Sequence, residues 1–304
     1  MLKDSQIIRG EIKMKEEEIR KKYQREDESD LRGTNVGAMN RFIEMIHQHE
    51  RSEDPRIKSV AENFEYIDEL APNFVIFESK DCFFMHTFKA YQISENTNML
   101  VASHEFGHAI LLIMNNTVVP ENYEDTIKGA KEHALSPENK ENFKAYIQYL
   151  CGKTEEKNNR TDAEKGPLSD IISSIFQLQG LRIGTHDNVC LFPASHSRSY
   201  YYDEEKNKPK VKEIFDEDFA NYYALKVNNC TQELEILRTL FGDELVQTLD
   251  SELERAYERL MAVKENTTKK DEKNPMEQIK SLIIFSRQGE IENIKWIEQQ
   301  EVTK

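Results

Sequence analysis

The chain has 304 residues and carries 56 Asp plus Glu against 41 Lys plus Arg, a formal charge of -15. That length suits one large domain or two modest ones with room for a buried core, and the acidic balance argues against a nucleic-acid partner, because phosphate binding needs positive charge gathered on one face. With 38% hydrophobic residues, 15 Phe and 12 Tyr, the composition is that of a folded chain rather than a disordered one.

Residues 3–28 are dense in Lys, Glu and Arg, with Ile7, Ile8, Ile12 and Ile19 as the sizeable aliphatic positions, a pattern that predicts a solvated helical arm with i,i+4 ion pairs. It has no apolar stretch of the signal-peptide kind, and the longest apolar run, Ala109 to Met114, falls far short of the ~20 residues that span a bilayer. A protein made in the cytosol, or exported without a cleaved signal, and with no membrane partner is expected. Phe42, Ile43 and Ile46 give an apolar stripe over a helix from Val36 to His49. After Pro72, the segments Asn73–Glu78, Cys82–Phe88 and Tyr91–Ser94 are short and aromatic or β-branched between polar turns, and read as two or three strands.

Asn96 or Asn98 can cap the next helix, which runs through MLVASHEFGHAILLIM to Asn115 or Asn116 and is the most apolar in the chain, hence central. Pro120 opens a helical stretch into the 130s and Pro137 another through Leu150. Gly152 to Gly166 lacks core-forming side chains and reads as a surface loop. Pro167 starts a helix ending at Gly180, residues 183–202 mix strand and loop, and Lys212–Val227 and Glu233–Val263 read as helices. KENTTKKDEKNP reads as a linker before a final helical pair over Met276–Gln300, broken at Gly289. The four cysteines, Cys82, Cys151, Cys190 and Cys230, are scattered without CxxC pairs and read as reduced thiols. The expected division is a helical extension over 1–70, a central domain over 71–263, and the linker with its helices over 264–304.

The central helix contains His104-Glu105-Phe106-Gly107-His108, an H-E-x-x-H sequence. Residues four apart on a helix share a face, so two imidazoles can hold one Zn²⁺ while the Glu beside the first is left over the metal-bound water. A chance match is expected in only a few per hundred chains of this size, on the order of simple residue frequencies. A core helix with two hydrogen-bonded His is the plain alternative. Against it stands the desolvation cost of two imidazoles and a carboxylate on an apolar helix, which a metal offsets. Two nitrogens, a third protein ligand and a water make an open site for hydrolysis, most often of a peptide bond.

The third ligand lies elsewhere, because Leu111 and Met114 stand where an H-x-x-G-x-x-H extension would put its Gly and His. Four carboxylate positions compete by sequence: Glu121 to Asp125, Glu132 with His133, Asp187, and Glu217. Glu217 lies in EIFDEDFANYYALK, one turn from Ala220, over which a carboxylate could approach the first helix closely. An acidic first turn favoured by the helix dipole explains Asp216, Glu217 and Asp218 equally well.

The pairing of HEFGHA with a later E-x-F-A helix resembles the zinc metallopeptidase domain of anthrax lethal factor and its relatives, in which the first Glu of an E-F-F-A-E helix completes the zinc site. LSDIISSIF, SHSRSYYY, EDFAN and LRTLFGDEL also resemble, in the same order, metallopeptidase-like regions of phage head-morphogenesis and mobile-element proteins. The likeness covers about half the chain, Asn98 to Leu249. It implies an α+β, zincin-like fold, with a small twisted sheet from residues 73–94 over the H-E-x-x-H helix and a helical lower half. It implies Zn²⁺ held by His104, His108 and Glu217, Glu105 as general base, and a peptide or protein substrate. Where that family has a Tyr seven positions before its Glu ligand, this chain has Lys210; Tyr200 or Tyr201 could stand in as oxyanion donor, as could His196, the plain alternative for the tyrosine pair being packing. The resemblance also leaves room for a catalytically vestigial phage or mobile-element accessory protein, and the same residues would serve a non-proteolytic zinc hydrolase.

Overall fold

The computed structural model describes residues 16–21, 36–67, 75–78, 82–85, 90–115, 118–155, 166–177, 182–183, 190–191, 196 and 198–271. The chain divides into two compact units, Met1–Arg259 and Leu260–Lys304. Of the second, the described part is residues 260–271, the end of a helix. Within the first unit, helix α1 (Val36–Glu50) buries Ala38, Met39, Phe42, Ile43, Met45 and Ile46 along one stripe. Helix α2 (Pro55–Glu62) starts on an Asp-Pro pair: the Asp54 side chain accepts the Arg56 N–H, and proline fills the first helical position.

Strands β1 (Val75–Glu78), β2 (Phe83–Met85) and β3 (Ala90–Ile93) form a sheet in the order β1-β3-β2. The last strand lies in the middle, parallel to β1 with Val75 opposite Ala90 and antiparallel to β2 with Phe84 opposite Tyr91. Helix α3 (Met99–Asn115) carries the H-E-x-x-H sequence. Its core-facing Phe106 meets Phe42, Phe64 and Tyr91 at ring-centroid distances of 6.2, 6.2 and 5.9 Å. The Tyr91 hydroxyl donates to the Ala102 carbonyl at 2.8 Å, which fastens the sheet to the helix.

Helices α4 (Tyr123–Ala134), α5 (Lys140–Glu155) and α6 (Gly166–Phe176) follow. Two minimal ribbons, β4 (Arg182–Ile183) with β5 (Cys190–Leu191) and β6 (Tyr202–Asp203) with β7 (Lys208–Pro209), flank the short helix α7 (Arg198–Tyr201). Helix α8 (Val211–Val227) is buried continuously from Ile214 to Leu225 and packs on α3. Helices α9 (Thr231–Phe241) and α10 (Asp243–Asp271) close the described chain. The first unit is thus a predominantly helical α+β fold. Among the described residues no helix is long and apolar enough to cross a membrane, and Cys82 and Cys230 are free thiols.

Several expectations change. The loop expected from Gly152 begins later, because α5 continues through Lys153, Thr154 and Glu155; residues 156–165 lie outside the described residues. The helix expected from Glu233 to Val263 is two helices, broken at Gly242, whose φ of 84° is open to glycine at little cost. The linker expected from Lys264 is helical as far as Asp271, since its Lys, Glu and Thr residues carry no breaker before Pro275. Of the N-terminal arm, residues 16–21 are described and are helical. The helix expected to run to Gly180 ends at Phe176, after which Gln177 leaves the helical conformation at a φ of 47°; the final helical pair and Asp187 lie outside the described residues.

Candidate metal centre

The centre is made where α3 and α8 touch. Asn98 caps α3 by accepting the Leu100 N–H at 2.8 Å, and the helix turns Ala102, Phe106, Ala109 and Ile110 into the core, which leaves His104, Glu105 and His108 on the stripe facing α8 and the sheet edge. Close approach depends on two small residues. A Cβ added to Gly107 would lie 2.9 Å from the Ala220 Cα and 3.2 Å from the Tyr223 Cβ, so the helix backbones meet with no side chain between them. One turn back from Ala220, Glu217 is thereby carried to the two imidazoles.

His104 Nε2 lies 3.2 Å from His108 Nε2 and 3.4 Å from Glu217 Oε2, and His108 Nε2 lies 3.6 Å from Glu217 Oε1. One ligand atom from each residue falls within 4.8 Å of the others, the sole such group among the described residues. Donors about 2.0–2.1 Å from a tetrahedral ion are separated by roughly 3.3 Å, so the spacing fits one small cation. Two further observations agree. Glu217 Oε2 is buried without a hydrogen bond, and His104 Nδ1 lies 3.0 Å from Asn221 Oδ1. Asn221 in turn donates its Nδ2–H to the Glu217 carbonyl at 2.9 Å, which sets the amide so that its oxygen faces the imidazole. In its neutral form His104 therefore carries its proton on Nδ1, and the Nε2 lone pair faces the centre.

The electrostatics are those of a tightly coupled cluster. Burial alone would pull His104 down, but the neighbouring Glu217 and Glu105, with Asp170 beyond them, raise it to about 9. Burial opposes the Glu217 carboxylate as well; His108, His104 and His196 nevertheless hold it well below its ordinary value. Glu105 is raised, chiefly by burial, against the opposing pull of His104 and of the Phe84 N–H. That N–H, on the edge strand β2, donates to Glu105 Oε2 at 2.9 Å, while Oε1 stands 4.0 Å from His104 Nε2. One carboxylate oxygen is tied to the sheet and the other faces the imidazoles.

The three residues expected to offer an oxyanion donor are placed differently. The Tyr200 hydroxyl donates to Glu217 Oε1 at 3.1 Å, with the side chain at the rim. Burial and the Glu217 charge raise this phenol above its ordinary value, so it stays protonated. His196 Nε2 lies 3.3 Å from the same oxygen. Tyr201 is fully buried and its hydroxyl has no hydrogen-bond partner; its ring packs edge-on against His196 and Tyr200.

The competing carboxylates that are described do not join the cluster. Glu121 is exposed, and Glu132 is exposed beside Lys128 at 4.0 Å. His133 Nε2 points instead to the Thr239 carbonyl at 3.2 Å. Asn221 and Phe84 escaped sequence reading. Asn221 could have been found from its position four residues after Glu217, on the same helix face, whereas no local signal marks a main-chain N–H as a partner of Glu105. No family model matches the chain, and comparisons with curated proteins and with solved structures give no significant match.

Proposed function

We propose that this chain is a zinc-dependent metallopeptidase of the zincin type, hydrolysing a peptide bond in a peptide or protein substrate. The observation that carries the reading is the convergence of His104 Nε2, His108 Nε2 and the Glu217 carboxylate at 3.2–3.6 Å with a fourth residue, Glu105, beside them and not among them. The sheet packed on α3 and the buried helix α8 behind it support a zincin-like arrangement, as does the H-E-x-x-H sequence itself.

His104, His108 and Glu217 would hold the ion. Zn²⁺ in such a site polarises a carbonyl and brings the pKa of water to about 7. The protein's own part is proton transfer and orientation. Glu105, with Oε2 anchored on the Phe84 N–H, presents Oε1 to accept the proton of the attacking water and then returns it to the leaving amine nitrogen. Its burial favours the protonated form between these two steps. Asn221 keeps His104 in the tautomer that can ligate.

Purified protein should take up about one Zn²⁺ per chain, and His108→Ala should abolish that stoichiometry. Glu105→Gln should keep both the metal and the fold while lowering turnover of a cleaved peptide by ~10²-fold or more. Near-wild-type zinc in the His108 variant would remove the site. Intact zinc with no cleavage across a broad peptide library would favour a vestigial accessory protein.

A further inference from the structure

The two oxygens of Glu217 sit in unlike surroundings. Oε2 is buried, lacks a hydrogen bond and lies 3.4 Å from His104 Nε2. Oε1 is approached by the Tyr200 hydroxyl at 3.1 Å, His196 Nε2 at 3.3 Å and His108 Nε2 at 3.6 Å. The first two of these come from one short stretch of chain and act together, because the His196 and Tyr200 rings stack at 4.3 Å with only 17° between their planes. The pair is backed by the buried ring of Tyr201, at 5.8 and 5.2 Å. Lys210 then ties the turn down: its N–H donates to the Tyr201 carbonyl at 2.9 Å and its Nζ to the Ser199 carbonyl at 2.8 Å. So Lys210, standing where the resemblance leads one to seek a tyrosine, serves instead to fix the backbone that presents Tyr200.

We propose that Tyr200 and His196 form a clamp on the outer oxygen of Glu217, fixing this carboxylate as a one-oxygen metal ligand that presents Oε2 and keeps Oε1 out of the coordination sphere. The proposal rests on the metal-site reading above and deepens it. It makes Tyr200 and His196 positioning residues acting through Glu217, in place of the oxyanion donors that the sequence led one to expect. The physical reason is donor count. A carboxylate with one oxygen held by the Tyr200 hydroxyl and by the His196 imidazole has its other oxygen left for a cation, and the free rotation that would let it chelate with both oxygens is lost. Keeping the ligand to one oxygen leaves a coordination position open for water and substrate.

The test uses the full chain and two probe ions, Zn²⁺ and Co²⁺. Competitive titration should show Tyr200→Phe and His196→Ala each weakening Zn²⁺ binding by about 10- to 100-fold, with His196→Gln, which keeps a side-chain N–H donor, recovering most of the loss. In a Glu217→Gln background, Tyr200→Phe should weaken binding no further, since both act on one carboxylate. The visible absorption of the Co²⁺-loaded protein should lose intensity in Tyr200→Phe, as the released Glu217 adds its second oxygen and raises the coordination number. Unchanged Zn²⁺ affinity in both single variants overturns the clamp, as does a loss of affinity with an unaltered Co²⁺ spectrum; the first result, with turnover alone reduced, is what an oxyanion donor would give. Failure of the wild-type chain itself to bind Zn²⁺ overturns the metal-site reading and the clamp with it.

Discussion

Three consecutive carboxylates, Asp216, Glu217 and Asp218, meet three different fates, because successive helical positions point about 100° apart. Asp216 is raised by burial to about 7 and its Oδ1 lacks a hydrogen bond. Glu217 faces the imidazoles. Asp218, fully buried, accepts the Tyr123 hydroxyl at 2.7 Å and is in hydrogen-bond contact with Ser174 Oγ, and burial raises it to about 8. Ser174 Oγ also donates to the Ile171 carbonyl at 2.9 Å. A hydroxyl has one proton to give, so a protonated Asp218 donating to Ser174 satisfies every atom in the chain of bonds. With its folded pKa above the unfolded 3.8, this group contributes stability that is complete below pH 3.8 and is lost as pH rises through about 8. Asp218→Asn should therefore flatten that part of the pH dependence: between pH 5 and pH 9 the urea midpoint should fall less in the variant than in the wild type. Parallel curves would show that Asp218 is ionised in the fold. None of this was legible beforehand, since an acidic first turn explains all three residues by the helix dipole alone. The His pair was legible from spacing, and Glu217 only through resemblance to a known motif, because the competing carboxylates are distinguished by which helix reaches α3.

At the scale of elements, the crossing of α3 on α8 decides whether the centre exists. Gly107→Ala would raise helix propensity by about 1 kcal/mol in an exposed helix. Here the added methyl meets the Ala220 backbone at 2.9 Å, and overpacking of this kind costs about 1–3 kcal/mol. The variant should melt lower and, because the helices must part, bind Zn²⁺ more weakly; a higher melting point would show that the crossing has slack. Elements with local signals were read well, α3 from its Asn cap and apolar face and β1 to β3 from their aromatic and β-branched residues. Strand order was not readable, because the parallel pairing of β1 with β3 rests on contacts that no local pattern encodes. Helix α2 passed unnoticed although Asp54-Pro55 is a sound start signal, and the Gly242 break was missed because the apolar pattern continues on both sides of it.

Over the molecule as a whole, chain segments far apart in sequence are joined by an ion-pair network. Arg56 reaches Asp54 and Asp250 at 2.7 Å each and Glu254 at 3.2 Å. Lys226 lies 3.2 Å from Asp54 and 3.4 Å from Asp250, and the Tyr222 hydroxyl donates to Asp250 at 2.8 Å. Arg56→Met keeps the apolar stem and removes the donors, which should cost about 1.5–3 kcal/mol, read as a lower urea midpoint with an unchanged slope. A difference within about 0.5 kcal/mol would class the network with weak surface pairs. The same helix α8 that carries Lys226 and Tyr222 also carries Glu217, separated from His108 by 109 positions of sequence. The ion proposed for these residues would therefore be a reversible cross-link closing a very long loop, and it would restrict the unfolded chain much as a disulfide does, with solution metal activity taking the place of redox potential. Two of its three anchors lie one turn apart on α3 and the third on α8, so the closing of that loop would rest on Glu217 alone.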